Sequence, residues 1–527
     1  MIGAPKRWEA IRWAAWLGWL ALVVDPTQAA GRQEATPSQG REREAARAGG
    51  RLEGGGDLEA ILKAAAERTE AGDFSGAERL LGEALENRQG RGPTEGRARL
   101  EFAKDRLRRI RRDFPLTRGE VIERLKTSVK DFAEPEFDRW EKEGLWDWRM
   151  IDGEARYFVS SVSNLFFRRP DLRARRIPAR DTAVLQRAHW ENARAIREAA
   201  RREATPYVLP KKFRVRMEVR VLPGSVEPGA AISAWMPVPR QFPHQTGFEL
   251  LGTRPGTGLL APADSPIRSV HLKGVGLADG SAEFEVEYAY LARGVSFDLS
   301  RSAAGAAAAT GGASVSEVGR YLTPGPHVEF TDDMKRLADG LGAGLRDPVE
   351  RARRFYEWIS GNIRYSYAPE YSTIPNLGEA CRASGRGDCG QAAFLLMTLC
   401  RISGIPARWQ SGWAIFPGDE TIHDWCELHF APWGWVPVDP YMGMYAMQYA
   451  TALTPAQREE LRDFYFGGLT QYRMAANSDH ERELWPPKDS IRSDPVDFQR
   501  GEVEAGGRNL YFDRFRYDLK WEEINKP

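Results

Sequence analysis

The run from Ala392 to Ile402 is apolar on nearly every side, and a helix without a polar face has to lie at the centre of its domain, covered all round by other elements. Immediately before it stands Arg386-Gly387-Asp388-Cys389-Gly390-Gln391, in which two glycines bend the chain into the helix, and Gly404 and Pro406 close it. This places Cys389 at a helix N-terminus, where the positive end of the backbone dipole favours thiolate over thiol.

Downstream, Trp409 to Phe416, Trp425 to Phe430 and Trp435 to Val438 read as strands joined by Gly- and Pro-bearing turns. His423, Trp425 and Glu427 alternate on one face. After a turn at 432–434, Trp435, Pro437 and Asp439 alternate on the returning strand. Paired as a hairpin, the two strands bring the Cβ atoms of His423 and Asp439 within about 4.5 to 8 Å. The carboxylate then holds one imidazole nitrogen and leaves the other to address the Cys389 sulfur, giving a nucleophile, its base and the orienting group of that base. His429 shares the face but lies nearer the turn, and it reads as structural. Taken singly, a cysteine in an exported chain is commonly a bridge partner, a strand histidine is structural and Asp-Pro marks a turn. The joint arrangement is what points to thiol chemistry.

At 527 residues the chain has length for two to four domains. Lys+Arg 75 against Asp+Glu 74 leaves a net charge of +1, so no global field favours nucleic acid or an anionic membrane surface. Lys6, Arg7 and Arg12, then apolar residues from Trp13 to Val24, then Thr27-Gln28-Ala29-Ala30 have the layout of a secretory signal peptide over residues 1–30. Export to the periplasm or the outside is therefore expected, with an uncleaved signal anchor as the one membrane alternative. The other cysteines, Cys381, Cys400 and Cys426, crowd into the same stretch as Cys389. One bridge at most forms among them if Cys389 works as a thiol.

The domain plan follows from shifts in pattern. Residues 31–56 read as a solvated linker and 57–205 as a mostly helical region, with helical spacing on both sides of Gly72-Asp73 and an aromatic cluster around Trp140, Trp146 and Tyr157. From 206 to 298 the period becomes two, with Phe213, Val215, Met217, Val219 and Val221, then Phe284, Val286, Tyr288 and Tyr290. This predicts an antiparallel β-sandwich. The Ala/Gly-rich stretch 299–318 reads as a flexible join. Helices capped by Thr331 and Asp347 open a catalytic domain over 319–450, and 451–527 is expected to pack on it as a C-terminal extension.

Asn362-Ile363-Arg364-Tyr365, the Gly387-Asp388-Cys389-Gly390-Gln391 block with its helix, Gly404-Ile405-Pro406-Ala407-Arg408, His423-Asp424-Trp425-Cys426-Glu427 and Trp435-Val436-Pro437-Val438-Asp439-Pro440 together resemble the bacterial transglutaminase-like domain. The resemblance implies a papain-like α+β fold and thiol acyl chemistry on amides, with Cys389 as nucleophile, His423 as general base and Asp439 as orienter. It implies a protein or peptide amide as substrate and calls for no cofactor or metal. The family adds a side-chain donor to the oxyanion hole, for which Tyr365, Tyr367 and Tyr371 supply candidate hydroxyls, Tyr365 and Tyr371 foremost, beside the Cys389 backbone N–H. The alternative from another class is a catalytically inactive scaffold of the same fold, kept for protein or cell-surface binding.

Overall fold

The computed structural model describes residues 9–10, 55–87, 95–178, 181–300 and 318–524. The expected signal peptide (apart from Glu9–Ala10), nearly all of the 31–56 linker and most of the 299–318 join lie outside the described residues. The chain forms two compact units. One comprises the described residues of Met1–Leu17, Arg180–Ser366 and Ile374–Pro527; the other comprises those of Gly18–Ala179 together with Tyr367–Thr373.

The second unit is mainly helical, with helices Gly55–Glu70, Phe74–Glu86, Glu95–Asp113, Arg118–Ser128, Glu134–Lys142 and Ser161–Arg168, and a hairpin of Trp148–Ile151 with Glu154–Tyr157. Thr117 begins Arg118–Ser128 with a capping box to Glu120. The aromatic residues singled out in the sequence are core: Phe137 stacks on Trp146 at 5.1 Å, and Trp140 meets Trp146 edge-on at 5.9 Å. The segment Tyr367–Thr373, far along the chain, is held here by polar contacts. Arg109, fully buried, pairs with Glu370 and donates to Ser372 Oγ, and Asn164 binds both the N–H and the carbonyl of Tyr367.

The boundary of this helical unit falls at 179, not at 205. Helix Ala183–Glu203 belongs to the other unit, where Ala193, Ile196, Ala199 and Ala200 pack with Met442, Ala446, Leu461 and Phe464. Periodicity marks a helix but not the partner of its apolar stripe, so it gave no sign of this assignment.

In that unit, two sheets face a shared core. The first runs Glu9–Ala10, Phe515–Ile524, Tyr207–Val221, Ala282–Ser296 and Gly468–Leu469, with Gln245–Arg254 also on Ala282–Ser296. The second runs Arg508–Leu510, Glu502–Ala505, Ala231–Pro237, Ser269–Val275 and Leu259–Leu260. Val215, Met217 and Val219 from one sheet meet Ile232, Ala234 and Leu272 from the other. The C-terminal extension does more than pack on the domain before it. It supplies Glu502–Ala505 to one of these sheets and Phe515–Ile524 to the other.

The third sheet of the unit has the order Gly434–Val438, Asp419–Phe430, Ala407–Phe416, Arg473–Asn477. The central helix Cys389–Ile402 packs on it with 12 buried residues, from Gly390 to Arg401. Phe394 stacks on Trp409 at 4.5 Å.

Two histidines in this unit give the fold a pH dependence. Burial pushes both His244 and His480 down to about 4. Unfolded imidazole takes up its proton near pH 6.5, so between about 6.5 and 4 the unfolded chain binds more protons than the folded one. Stability is expected to fall as pH drops through that window, read as the urea midpoint at successive pH values. A midpoint that holds level or rises would contradict it.

Candidate active site

Asp388 opens the central helix by accepting a hydrogen bond from Gln391 N–H at 3.1 Å, which leaves Cys389 as the first helical residue. Upstream, Arg364–Tyr365 pairs in parallel with Arg386–Gly387, opposing Tyr365 to Gly387. All four cysteines are free thiols. Cys389 is partly exposed, whereas Cys381, Cys400 and Cys426 are buried.

The hairpin expected from the sequence forms with Glu427 opposite Pro437 and Cys426 opposite Val438. Continuing that register carries Asp439 to the level of Trp425, a diagonal step from His423. His423 Nε2 lies 2.8 Å from Asp439 Oδ2. Asp439 is wholly buried and also caps the next helix, accepting from Met442 N–H at 3.0 Å. A third partner comes from the C-terminal extension: Arg473 Nη2 donates to Asp439 Oδ2 at 2.7 Å. Gly412, which pairs with His423, lets the strand carrying Arg473 approach, since a Cβ at Gly412 would stand 1.9 Å from the Met474 carbonyl.

Charge follows from this packing. Burial disfavours the Asp439 carboxylate, but His423 and Arg473 outweigh it and hold its pKa below the usual carboxylate range. Burial, with Arg473 behind it, pushes the His423 imidazole down despite Asp439. The pair is thus a neutral imidazole oriented by a carboxylate, with Nε2 committed and Nδ1 the nitrogen left for proton exchange.

The sulfur departs from the sequence-based expectation. Asp419–Phe430 pairs with Ala407–Phe416 without a register shift, so alternate residues point to opposite faces. Trp409 and its partner Cys426 lie on the face of the central helix, and so does Asp424. His423 points with Trp425 to the other face, where Trp425 packs on Val295, Leu469 and Ala475. The Cys389 thiol accordingly donates to Asp424 Oδ2 at 3.4 Å. Nor is its setting cationic overall. Burial pushes the thiol well above its usual range, the Asp424 and Asp388 carboxylates add to this, and the Asp424 backbone N–H opposes it. The helix dipole expected to favour thiolate is outweighed by burial, reinforced by the Asp424 and Asp388 carboxylates, and helix periodicity reveals neither effect.

Of the oxyanion candidates, Tyr365 stays in the unit of Cys389, with its ring 5.2 Å from that of Tyr441, which in turn lies 5.3 Å from His423. Tyr371 belongs to the helical unit. His429 packs edge-on against Trp435 at 5.2 Å, and Trp413 and Trp425 are core. Sequence reasoning missed Asp424, Arg473 and Gln499. Gln499 Nε2 donates to Asp424 Oδ1 at 2.7 Å and to the His423 carbonyl at 3.1 Å. Among the described residues no group of three or more His, Cys, Asp or Glu has a geometry suited to a metal ion.

A mixed helix-and-sheet unit with a thiol at the start of its central helix and an imidazole–carboxylate pair in the adjoining hairpin defines a class, and residues 335–440 match the model of the transglutaminase-like superfamily. The chain carries a domain of that superfamily. Similar solved structures include a candidate cysteine protease from Cytophaga hutchinsonii, 14% identical, covering 61% of this chain and 93% of that one with a TM-score of 0.37. The periplasmic domain of TgpA from Pseudomonas aeruginosa is also 14% identical, covering 52% of this chain and 96% of that one with a TM-score of 0.25. Among curated proteins no relative matches. No helix among the described residues is long and apolar enough to cross a membrane.

Proposed function

We propose that this chain is an exported thiol enzyme acting on protein or peptide amides through an acyl-enzyme thioester, with Cys389 as nucleophile, His423 as general base and Asp439 as orienter. The observation that carries this reading is the buried 2.8 Å contact of His423 Nε2 with Asp439, which orients an imidazole one residue along the strand from the carboxylate that touches the sulfur. Catalysis requires the sulfur to leave Asp424, and His423 Nδ1, which points to the other face of the strand in this structure, to come within reach of it and take its proton. The thiolate attacks the amide carbonyl, and the Cys389 backbone N–H and Tyr365 hydroxyl steady the oxyanion. The imidazolium then protonates the departing amine. Water, deprotonated by His423, adds to the thioester and releases a carboxylate, or an amine adds instead and leaves a cross-link. Hydrolysis is the expected course in dilute water. Residues 1–30 serve as the export signal, so the Glu9–Ala10 strand pairs with Phe515–Ile524 only before processing, and the two sheets that share a core form a β-sandwich beside the catalytic domain.

The thiol–Asp424 hydrogen bond favours a second reading, a scaffold of this fold without turnover, because it holds the sulfur as neutral thiol away from the imidazole. A panel of peptide, glutamine and cell-wall amides incubated with purified protein separates the two. Release of amine or ammonia by the wild-type chain and none by Cys389→Ser supports the enzyme. Equal signals from both proteins, or none from either, support the scaffold.

A further inference from the structure

We infer that Asp424 and Gln499 form a latch on the nucleophile: Asp424 holds the Cys389 thiol by hydrogen bond, and Gln499, a positioning residue from the C-terminal extension, holds Asp424. The inference rests on Cys389 being the reactive sulfur of the proposed function.

Both oxygens of Asp424 are engaged, Oδ2 by the thiol at 3.4 Å and Oδ1 by Gln499 Nε2 at 2.7 Å. Gln499 is 1% exposed, and its second bond, to the His423 carbonyl, ties it to the strand itself. Its side chain has no freedom to follow Asp424 if that carboxylate turns. The segment bearing it is fastened nearby. The Asp497 carbonyl accepts from Ser411 Oγ at 2.7 Å and from Asn477 Nδ2, and Ser411 is the cross-strand partner of Asp424. Farther back, Lys488 and Arg492 are ion-paired to the buried Glu502.

The sign of the effect follows from the charges around the sulfur. Asp388 comes from its own helix cap, Asp424 from the strand, and Asp497, with Asp494 and Arg500 behind it, from the extension. Burial, Asp424 and Asp494 push Asp497 well above the carboxylate range. Asp424 and Asp388 are the carboxyl groups that face the thiol, and His423 with Asp439 and Arg473 lies across the strand. A carboxylate accepting from S–H stabilises the neutral thiol and repels the thiolate. Removing that charge, or the amide that aims it, therefore eases ionisation.

The test is the rate of Cys389 alkylation by iodoacetamide against pH, read by peptide mass on the full chain. Asp424→Asn is expected to lower the midpoint of the profile by about one unit or more, which is roughly tenfold faster labelling at a fixed pH below it. Gln499→Ala is expected to shift it the same way by less, and Asp424→Glu to restore most of the wild-type profile. Midpoints unchanged or raised in both Asp424→Asn and Gln499→Ala overturn the latch. If Asp424→Asn does not fold, Gln499→Ala alone decides. Labelling needs no substrate, so a shifted profile without amide turnover sustains the latch and sinks the proposed function. Turnover with an unshifted profile does the reverse.

Discussion

Replacing His423 with alanine is expected to lower amide turnover by on the order of 10²- to 10⁴-fold, the usual contribution of a positioned general base. The same substrate binding and an intact fold should remain. The imidazole has two tasks in the proposed cycle, taking the thiol proton and protonating the departing amine. Asp439→Asn is expected to reduce turnover too, by loosening the ring and changing its tautomer. That variant also disturbs a helix cap and leaves buried Arg473 without its anion, so its loss of activity mixes two causes. His423→Ala is the cleaner variant. Turnover within a few-fold of wild type would remove the imidazole from the mechanism.

Glu502→Leu is expected to destabilise the Cys389 unit by about 3–5 kcal/mol, the range for deleting one partner of a buried ion pair. Glu502 is fully buried and meets Lys488, whose side chain is 1% exposed, and Arg492, at 12%. It also accepts the backbone N–H groups of Ser493 and Asp494. Burial works against its carboxylate, yet Arg492 and Lys488 prevail and hold it at about 2. Leucine in its place strands two cations and two amide donors in the interior. Urea denaturation of wild type, Glu502→Leu and Glu502→Gln reads the effect, and glutamine should recover part of it by satisfying the amides without the charge. A loss under about 1 kcal/mol would mean that water reaches the cations. Because Lys488 and Arg492 lie on the segment that leads to Gln499, the leucine variant should also raise the alkylation rate of Cys389.

Local rules reached far into this chain. Thr331 and Asp347 cap the helices they were expected to begin, the central helix is buried as its all-round apolarity requires, and the His423–Asp439 approach follows from a two-residue period and a turn. Contacts that depend on distant partners were not legible. Arg473 reaches Asp439 across 34 residues and Gln499 reaches Asp424 across 75; no spacing in the sequence encodes either. Asp424 was hidden for another reason. From His423 to Leu428 the strand is buried on both faces, so alternation does not distinguish its sides, and a carboxylate beside the expected base drew no notice. One strand of the extension did carry a signal: Phe515, Tyr517, Leu519 and Trp521 alternate with polar residues, the pattern used to find the β-rich region, and they pair with Tyr207–Val221.

The most direct test of the account is the mass of the Cys389 peptide after wild-type protein has met an amide panel and been quenched in acid. The account predicts an acyl adduct on that sulfur, labile to hydroxylamine and absent from Cys389→Ser. Amine release with Cys389 unmodified throughout, or with the acyl group on another residue, would contradict it.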